Sequence, residues 1–254
     1  MKTEILYEDN SILVIRKPAG LAVQSAGIGQ PDVVSELKSY LAKLPGAGRP
    51  GKGEPYLGIV HRLDQPVEGL LVFAKDKKAA AALSKQLAEG ALNKHYYAVL
   101  CGYPDSPEGD LVDYLRKEGN VAVAVTGREQ EFADAKIAAL HYRILEEIND
   151  PSPLALADVT IGTGRFHQIR VQFAHAGFPL LGDTKYGMAA LKEAMPAQKY
   201  RGVALCAYSL ELVHPISGKK MGFRVVPKNP VFAGFAMKEL KKLTENETGI
   251  SKRG

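Results

Sequence analysis

Short unbroken apolar runs along this chain alternate with stretches where apolar residues return every three or four positions. Residues 70–74 (Leu-Leu-Val-Phe-Ala) form an uninterrupted run ending at Lys75-Asp76, the pattern of a strand buried on both faces. Apolar runs at 5–7 and 12–15 flank Asp9-Asn10 and predict a hairpin. Between 31 and 44, Val33, Val34, Leu37, Tyr40, Leu41 and Leu44 share one face, with Pro31 near the first helical position and Pro45-Gly46 as the stop. That is an amphipathic helix. Asp76 caps a second, 77–89, with Ala80, Leu83 and Leu87 inward and Gly90 ending it. A third is expected over 166–176, where His167, Arg170, Val171 and Ala174 would share a face, and a last one over 230–243. Strands are expected at 96–100, 135–145, 154–161, 203–213 and 221–226. The polar stretches 45–55 and 103–133 read as excursions, the second a hairpin around the run 121–125. Without repeats or a composition break, this mixture predicts an α+β fold. It would be a single domain over 1–243, built on one mixed sheet flanked by helices, with a flexible tail at 244–254.

Composition narrows the class. Of the 254 residues, 46% are hydrophobic, enough for a sizeable core, yet no run is long enough to span a bilayer. Lys2-Thr3-Glu4 opens directly into a charged strand pattern, which argues against a secretory leader and makes the cytoplasm the expected location. Cys101 and Cys206 are too few and too far apart for a disulfide framework or a zinc site. The net charge of +5 decides little by itself. Its distribution says more: Lys43, Arg49 and Lys52 lie on or beside the Gly/Pro-rich loop leading to His61-Arg62. These three are candidate contacts to a nucleic-acid backbone, whereas Lys219-Lys220 reads as a solvated surface pair.

Two motifs carry the candidate chemistry. His61-Arg62-Leu63-Asp64 fills the turn between a short apolar piece at 59–60 and the strand at 70–74, and is closed by Gly69-Leu70-Leu71-Val72-Phe73-Ala74-Lys75. A loop held by strands on both sides is a usual place for catalytic groups. Alone, an Arg-x-Asp turn would read as a structural cap with its ion-pair partner. The second motif, Gly164-Arg165-Phe166-His167-Gln168-Ile169-Arg170, continues to Gly177, Pro179, Gly182-Asp183 and Tyr186-Gly187.

Together these segments closely resemble the RluA-like family of RNA pseudouridine synthases. Lys94-His95-Tyr96 matches the family's K-x-Y, and Lys17-Pro18-Ala19-Gly20 its K-P-x-G turn, so the resemblance runs from about residue 5 to 227 with its motifs in family order. Val67-Glu68 stand where Thr-Ser is usual, Phe166 replaces a common Thr, Gln172 a common His, and Cys206 sits where a late L-H-A would carry its His. The resemblance implies a bent, mainly antiparallel sheet with a cleft across it. The small RNA-binding module that many members carry is expected to be absent, because the catalytic pattern already begins at residue 5.

The implied reaction breaks the bond from ribose to the base nitrogen, rotates the base and joins ribose to carbon. It needs neither metal nor cofactor. Ordinary glycoside hydrolysis uses two carboxylates; uracil leaves as a stabilised anion, so one carboxylate suffices. By resemblance that carboxylate is Asp64, which either attacks the anomeric carbon or removes a sugar proton. Arg170 is implied as the arginine that pairs with it, opposing the rise in pKa that burial brings. Tyr96 is implied to stack on the base and assist the proton step at carbon 5. Alternation puts Tyr96 and Tyr97 on opposite strand faces. Substrate contacts are expected from Arg62, His61, Arg165, His167 and Gln168, with Arg62 filling the space of the extruded base or holding a phosphate. His61 reads foremost as a loop hydrogen-bonding residue, and Asp183 as a structural turn residue. The partner would be structured RNA, a stem-loop of rRNA or tRNA, acted on by a monomer. Two rivals stand beside this reading: a non-catalytic RNA-binding protein that kept the fold, and a metal-dependent hydrolase using His61, Asp64 and His167. The first is disfavoured by the presence of Asp64, Tyr96 and Arg170 together. The second is weakened because His167 and His175 lack the spacing of a helical metal pair.

Overall fold

The apolar run at 70–74 lies in a strand whose residues are all buried, β4 (Glu68–Ala74), paired antiparallel with the equally buried β2 (Ile12–Lys17). The computed structural model describes residues 1–25, 27, 29–44, 54–125, 134–149, 152–187 and 202–235. The chain forms two compact units: Met1–Lys94 with Ala207–Val225, and His95–Cys206 with the segment that starts at Val226.

In the first unit the strand order is β1 (Glu4–Glu8), β2, β4 and β10 (Leu205–Val213), with β3 (Gly58–Ile59) on β4 and β11 (Lys220–Arg224) on β10. The β1/β2, β2/β4, β3/β4 and β10/β11 ladders are antiparallel; a parallel contact appears as the isolated bridge Ala22–Asp32. Two helices complete the unit, the second starting at the expected Asp76 cap and the first at Val33, two residues after Pro31. Asp32 caps α1 (Val33–Leu41) by accepting from the Ser35 amide, and Asp76 caps α2 (Lys77–Ala88) by accepting from the Ala79 amide. Of the expected stripes, α1 buries Val33, Val34, Leu37 and Leu41 but only half-buries Tyr40, and α2 buries Leu83 together with Ala79 in place of Ala80, with Leu87 half-buried. The β2 strand runs two residues past the apolar stretch and takes Arg16 and Lys17 into the interior.

The second unit is an antiparallel succession of β5 (Asn93–Cys101), β9 (Pro153–Ile161), β8 (Lys136–Asn149), β6 (Glu108–Glu118) and β7 (Val121–Val125). The expected hairpin excursion is β6/β7, turning at Gly119, which adopts a positive φ of 58°. Helix α3 (Gln168–His175) packs Val171 against Leu115, Ala122 and Ala138 of this sheet. It begins two residues later than the pattern predicts, and His167 is not on its face. The reason is a backbone reversal: His167 takes a left-handed conformation, φ 54°. In place of a helix from 230, the described residues show a single 3-10 turn, Pro230–Gly234. The rest of that expected helix, the 244–254 tail and the centre of the 45–55 loop lie outside the described residues.

Candidate active site

The Asp64 turn is built over a buried lysine. Asp64 is half-buried and its carbonyl accepts from the Val67 amide (3.1 Å), closing the turn that feeds β4. Beneath it, Lys17 is fully buried, and its ammonium donates to three backbone carbonyls, Pro18 (3.0 Å), Leu21 (2.7 Å) and Gln65 (3.0 Å). The Gln65 carbonyl also accepts from the Gly20 amide (2.8 Å), so the 17–21 turn and the Asp64 turn are stitched together at one residue. Burial pushes the Lys17 pKa down to about 7, while the charges of Asp64 and Glu68 pull it back up. Glu68, in the place where the family carries Ser, is buried and lies 3.6 Å from the Arg16 guanidinium. Gly69 then enters the sheet at φ 130°, where a Cβ would overlap the Ala207 backbone; only glycine fits there.

Around the turn, Arg62 is exposed and donates to the Gln24 side-chain oxygen (3.1 Å), so its guanidinium faces solvent. His61 is buried: its Nε2 accepts from the Val72 amide (3.3 Å), which leaves the ring proton on Nδ1. Burial, reinforced by the Lys94 charge, drives its pKa down to about 3, so it stays neutral. This is the loop hydrogen bond that the sequence suggests; among the described residues Nδ1 has no partner, and both ring nitrogens are turned inward. Burial also lowers Lys94 to about 8. Lys94 and Tyr96 alternate onto the same face of β5. Tyr96 and Tyr97 are both buried, opposite Val159 and Asp158 of β9. Lys43 is exposed just after α1, whereas Arg49 and Lys52 lie outside the described residues.

The second unit presents Arg170 in a different way. Its side chain is buried and forks onto Asp183, Nε to Oδ2 at 2.7 Å and one terminal nitrogen to Oδ1 at 2.8 Å. Asp183 Oδ1 also accepts from the amides of Lys185 (3.0 Å) and Tyr186 (3.2 Å). The structural role expected for Asp183 thus has definite content: it orients the arginine. The Arg170 guanidinium lies 5.1 Å from the Tyr186 ring centroid, within cation–π range. Tyr186 contacts His167 edge-on (5.5 Å), and its hydroxyl bonds His167 Nδ1 (2.6 Å) while accepting from the Ala122 amide (2.8 Å). Those contacts hold the left-handed backbone of His167, a conformation that costs on the order of 1–3 kcal/mol in a non-glycine residue. Gln168 turns inward, its amide donating to the Ala139 carbonyl (3.0 Å) and its oxygen accepting from Thr163 and the Arg165 amide. Arg165 donates to the Ile137 carbonyl (2.9 Å) from a half-exposed position. Gln172 clips the helix to the sheet, donating to Leu111, Asp113 and Ala138.

Sequence reasoning missed Lys17 and the orienting role of Asp183. The signal for Lys17 was its place directly before Pro18 at the end of a buried strand. For Asp183 it was the turn that puts Lys185 and Tyr186 just behind it. Among the described residues no group of His, Cys, Asp and Glu is arranged to hold a metal ion, and no helix is long and apolar enough to cross a membrane.

Residues 11–175 match the family model described as RNA pseudouridylate synthase. The chain is 37% identical over 231 residues to the ribosomal large subunit pseudouridine synthase D of Zymomonas mobilis, covering 87% of this chain and 68% of that protein. It is 36% identical over 230 residues to the protein of the same name in Pseudomonas aeruginosa, covering 87% and 67%. It therefore spans about two thirds of the length of these curated relatives. Among solved structures it is similar to Human RNA Pseudouridylate Synthase Domain Containing 4, with a TM-score of 0.67 and 25% identity over 89% of each chain.

Proposed function

The chain belongs to the RNA pseudouridylate synthase family, and from that premise we propose that it isomerises uridine to pseudouridine in ribosomal RNA, with Asp64 as the catalytic carboxylate. The observation that carries the assignment is the Asp64 turn itself: a half-exposed carboxylate on a rigid turn, with a buried cation fastened beneath it by Gln65. Ribosomal RNA is favoured as the substrate because the relatives at 36–37% identity are named for the large ribosomal subunit.

In the proposed sequence the target uridine leaves its helix, and exposed Arg62 takes the vacated space. Asp64 drives cleavage of the bond from C1′ to N1, the freed uracil turns, C1′ joins C5, and the C5 proton is lost as N1 gains one, so all atoms are conserved. Tyr96 supports the base and assists the proton step. Arg170, already held by Asp183, serves as the arginine of the reaction, and residues 1–243 act as one catalytic domain. Lys43, Arg49 and Lys52 grip phosphates outside the flipped base, which positions RNA without reading its sequence.

The test is pseudouridine mapping of cellular ribosomal RNA with the gene present, deleted, and replaced by Asp64→Asn. One or more positions should lose the modification on deletion and stay unmodified with Asp64→Asn, while purified Asp64→Asn still binds the RNA within a few-fold. Turnover by a verified Asp64→Asn preparation would remove the central assignment. Loss of a tRNA position alone would move the substrate class to tRNA.

A further inference from the structure

Phe166 departs from the family pattern and is one of the large hydrophobic side chains left exposed, at 39%. A single exposed phenylalanine needs no explanation. Three features set this one apart, all within the second unit. Its ring is stacked on His167, centroids 3.8 Å apart and planes inclined by 21°. His167 cannot drift, because its left-handed backbone and its bond to the Tyr186 hydroxyl fix the imidazole. The Lys117 ammonium lies over the Phe166 ring at 4.9 Å from its centroid. A stack at 3.8 Å leaves no room for an ammonium between the rings, so Lys117 covers the outer face.

The layering continues inward. Phe166 rests on His167, His167 meets Tyr186 edge-on, and Tyr186 faces Arg170. An exposed ring is thus coupled through two more rings to the buried arginine. Lys117 is exposed, and among the described residues no carboxylate is paired with it. The neighbouring carboxylate Glu118 pairs with Arg116. Arg165 and Lys185 are tethered nearby through the Ile137 and Asn120 carbonyls, bonds that leave their charge unneutralised.

A flat apolar face on a fixed support, capped by a movable cation and bordered by two more, is complementary to an unpaired nucleobase and its phosphates. We propose that Phe166 is a stacking platform for an unpaired base of the RNA substrate, with Lys117 moving from the ring to the adjoining phosphate when the base arrives. The proposal rests on the chain acting on RNA. The base concerned is one other than the reacting uridine, because two rings, His167 and Tyr186, separate Phe166 from Arg170.

The experiment titrates single-stranded and stem-loop RNA carrying 2-aminopurine, which loses fluorescence when it stacks on an aromatic ring. Wild type should quench the probe. Phe166→Leu keeps an apolar side chain of similar size at an exposed site, so it should fold normally by circular dichroism. It should lose the quenching and bind roughly tenfold more weakly. Phe166→Trp should restore both. Lys117→Gln should keep the quenching and flatten the salt dependence of binding by about one phosphate. Equal quenching and affinity in Phe166→Leu and wild type would overturn the proposal, as would failure of the tryptophan to rescue.

Asp64→Asn serves as the control that separates this proposal from the assigned reaction. If Asp64→Asn quenches as wild type does while Phe166→Leu does not, the platform stands whatever the fate of the isomerase reading. If ribosomal RNA mapping succeeds but no variant alters the probe, the isomerase reading stands and the platform falls.

Discussion

Lys17 in the first compact unit and Arg170 in the second are both buried cations, and the two are held by opposite means. Lys17 is surrounded by backbone carbonyls: Pro18, Leu21 and Gln65 satisfy its three N–H groups but carry no formal charge. Arg170 is met by a carboxylate fork from Asp183, itself braced by two amides. Hydrogen bonds satisfy geometry, whereas only an opposite charge offsets the cost of removing a cation from water. The consequence is visible in the first unit, where burial brings Lys17 down to about 7 despite the pull of Asp64 and Glu68. A guanidinium held in a carboxylate fork stays charged at all physiological pH. One unit therefore holds a permanent charge, and the other a charge that titrates near neutrality.

The contrast is tested most severely at Asp183. Asp183→Ala leaves Arg170 buried without its carboxylate, and should cost about 3–5 kcal/mol. Urea denaturation measures this, and the double variant Asp183→Leu/Arg170→Met should recover most of the loss. If Asp183→Ala were as stable as wild type, the fork would not be what neutralises Arg170.

Lys17→Met should cost less, about 2 kcal/mol at pH 7. It strips the donors from the Pro18 and Leu21 carbonyls, yet it also removes the penalty of a buried charge. Single-turnover assays should show a larger loss in rate than the stability change explains, since Asp64 loses the cation beneath it.

The pH dependence sharpens the same point. The folded-state pKa of Lys17 lies below its ordinary value, so between about 7 and 10.5 the unfolded chain holds a proton that the folded one has given up. The penalty for burying the charged lysine is fully present below pH 7 and is relieved as pH rises. Relative to Lys17→Met, wild type should gain about 1.4 kcal/mol per pH unit across that window. Denaturation of both proteins from pH 6 to 10 reads the slope. A flat difference would mean that the carbonyl cage holds Lys17 charged throughout.

The smallest effect belongs to the ring ladder around Arg170. Tyr186→Phe keeps the ring under the guanidinium but removes the hydroxyl shared by His167 and Ala122, and should cost about 1 kcal/mol. The Asp183 fork should survive it, so thermal melting should shift slightly while RNA isomerisation falls little.

Much of this molecule is legible from the chain alone, wherever the deciding interactions are local. The run at 70–74 becomes a buried strand because apolar residues on both faces require cover. The start of α2 is readable because Asp76 reaches an amide only three residues on. The order of motifs is enough to identify the family. Three features depend on tertiary structure. Lys17 stands in sequence just past the apolar run 12–15, and the Gln65 carbonyl, 48 positions away, helps make an interior cage for it. His167 has the local pattern of a helix residue, yet Tyr186, 19 positions on, helps hold its backbone left-handed and start the helix after it. Arg170 and Asp183, 13 positions apart, form a fork that no periodicity announces. Caps and apolar faces are set by neighbours a few residues away, which sequence spacing encodes directly. A buried charge is set by whatever the folded chain brings within hydrogen-bonding distance, which spacing leaves open.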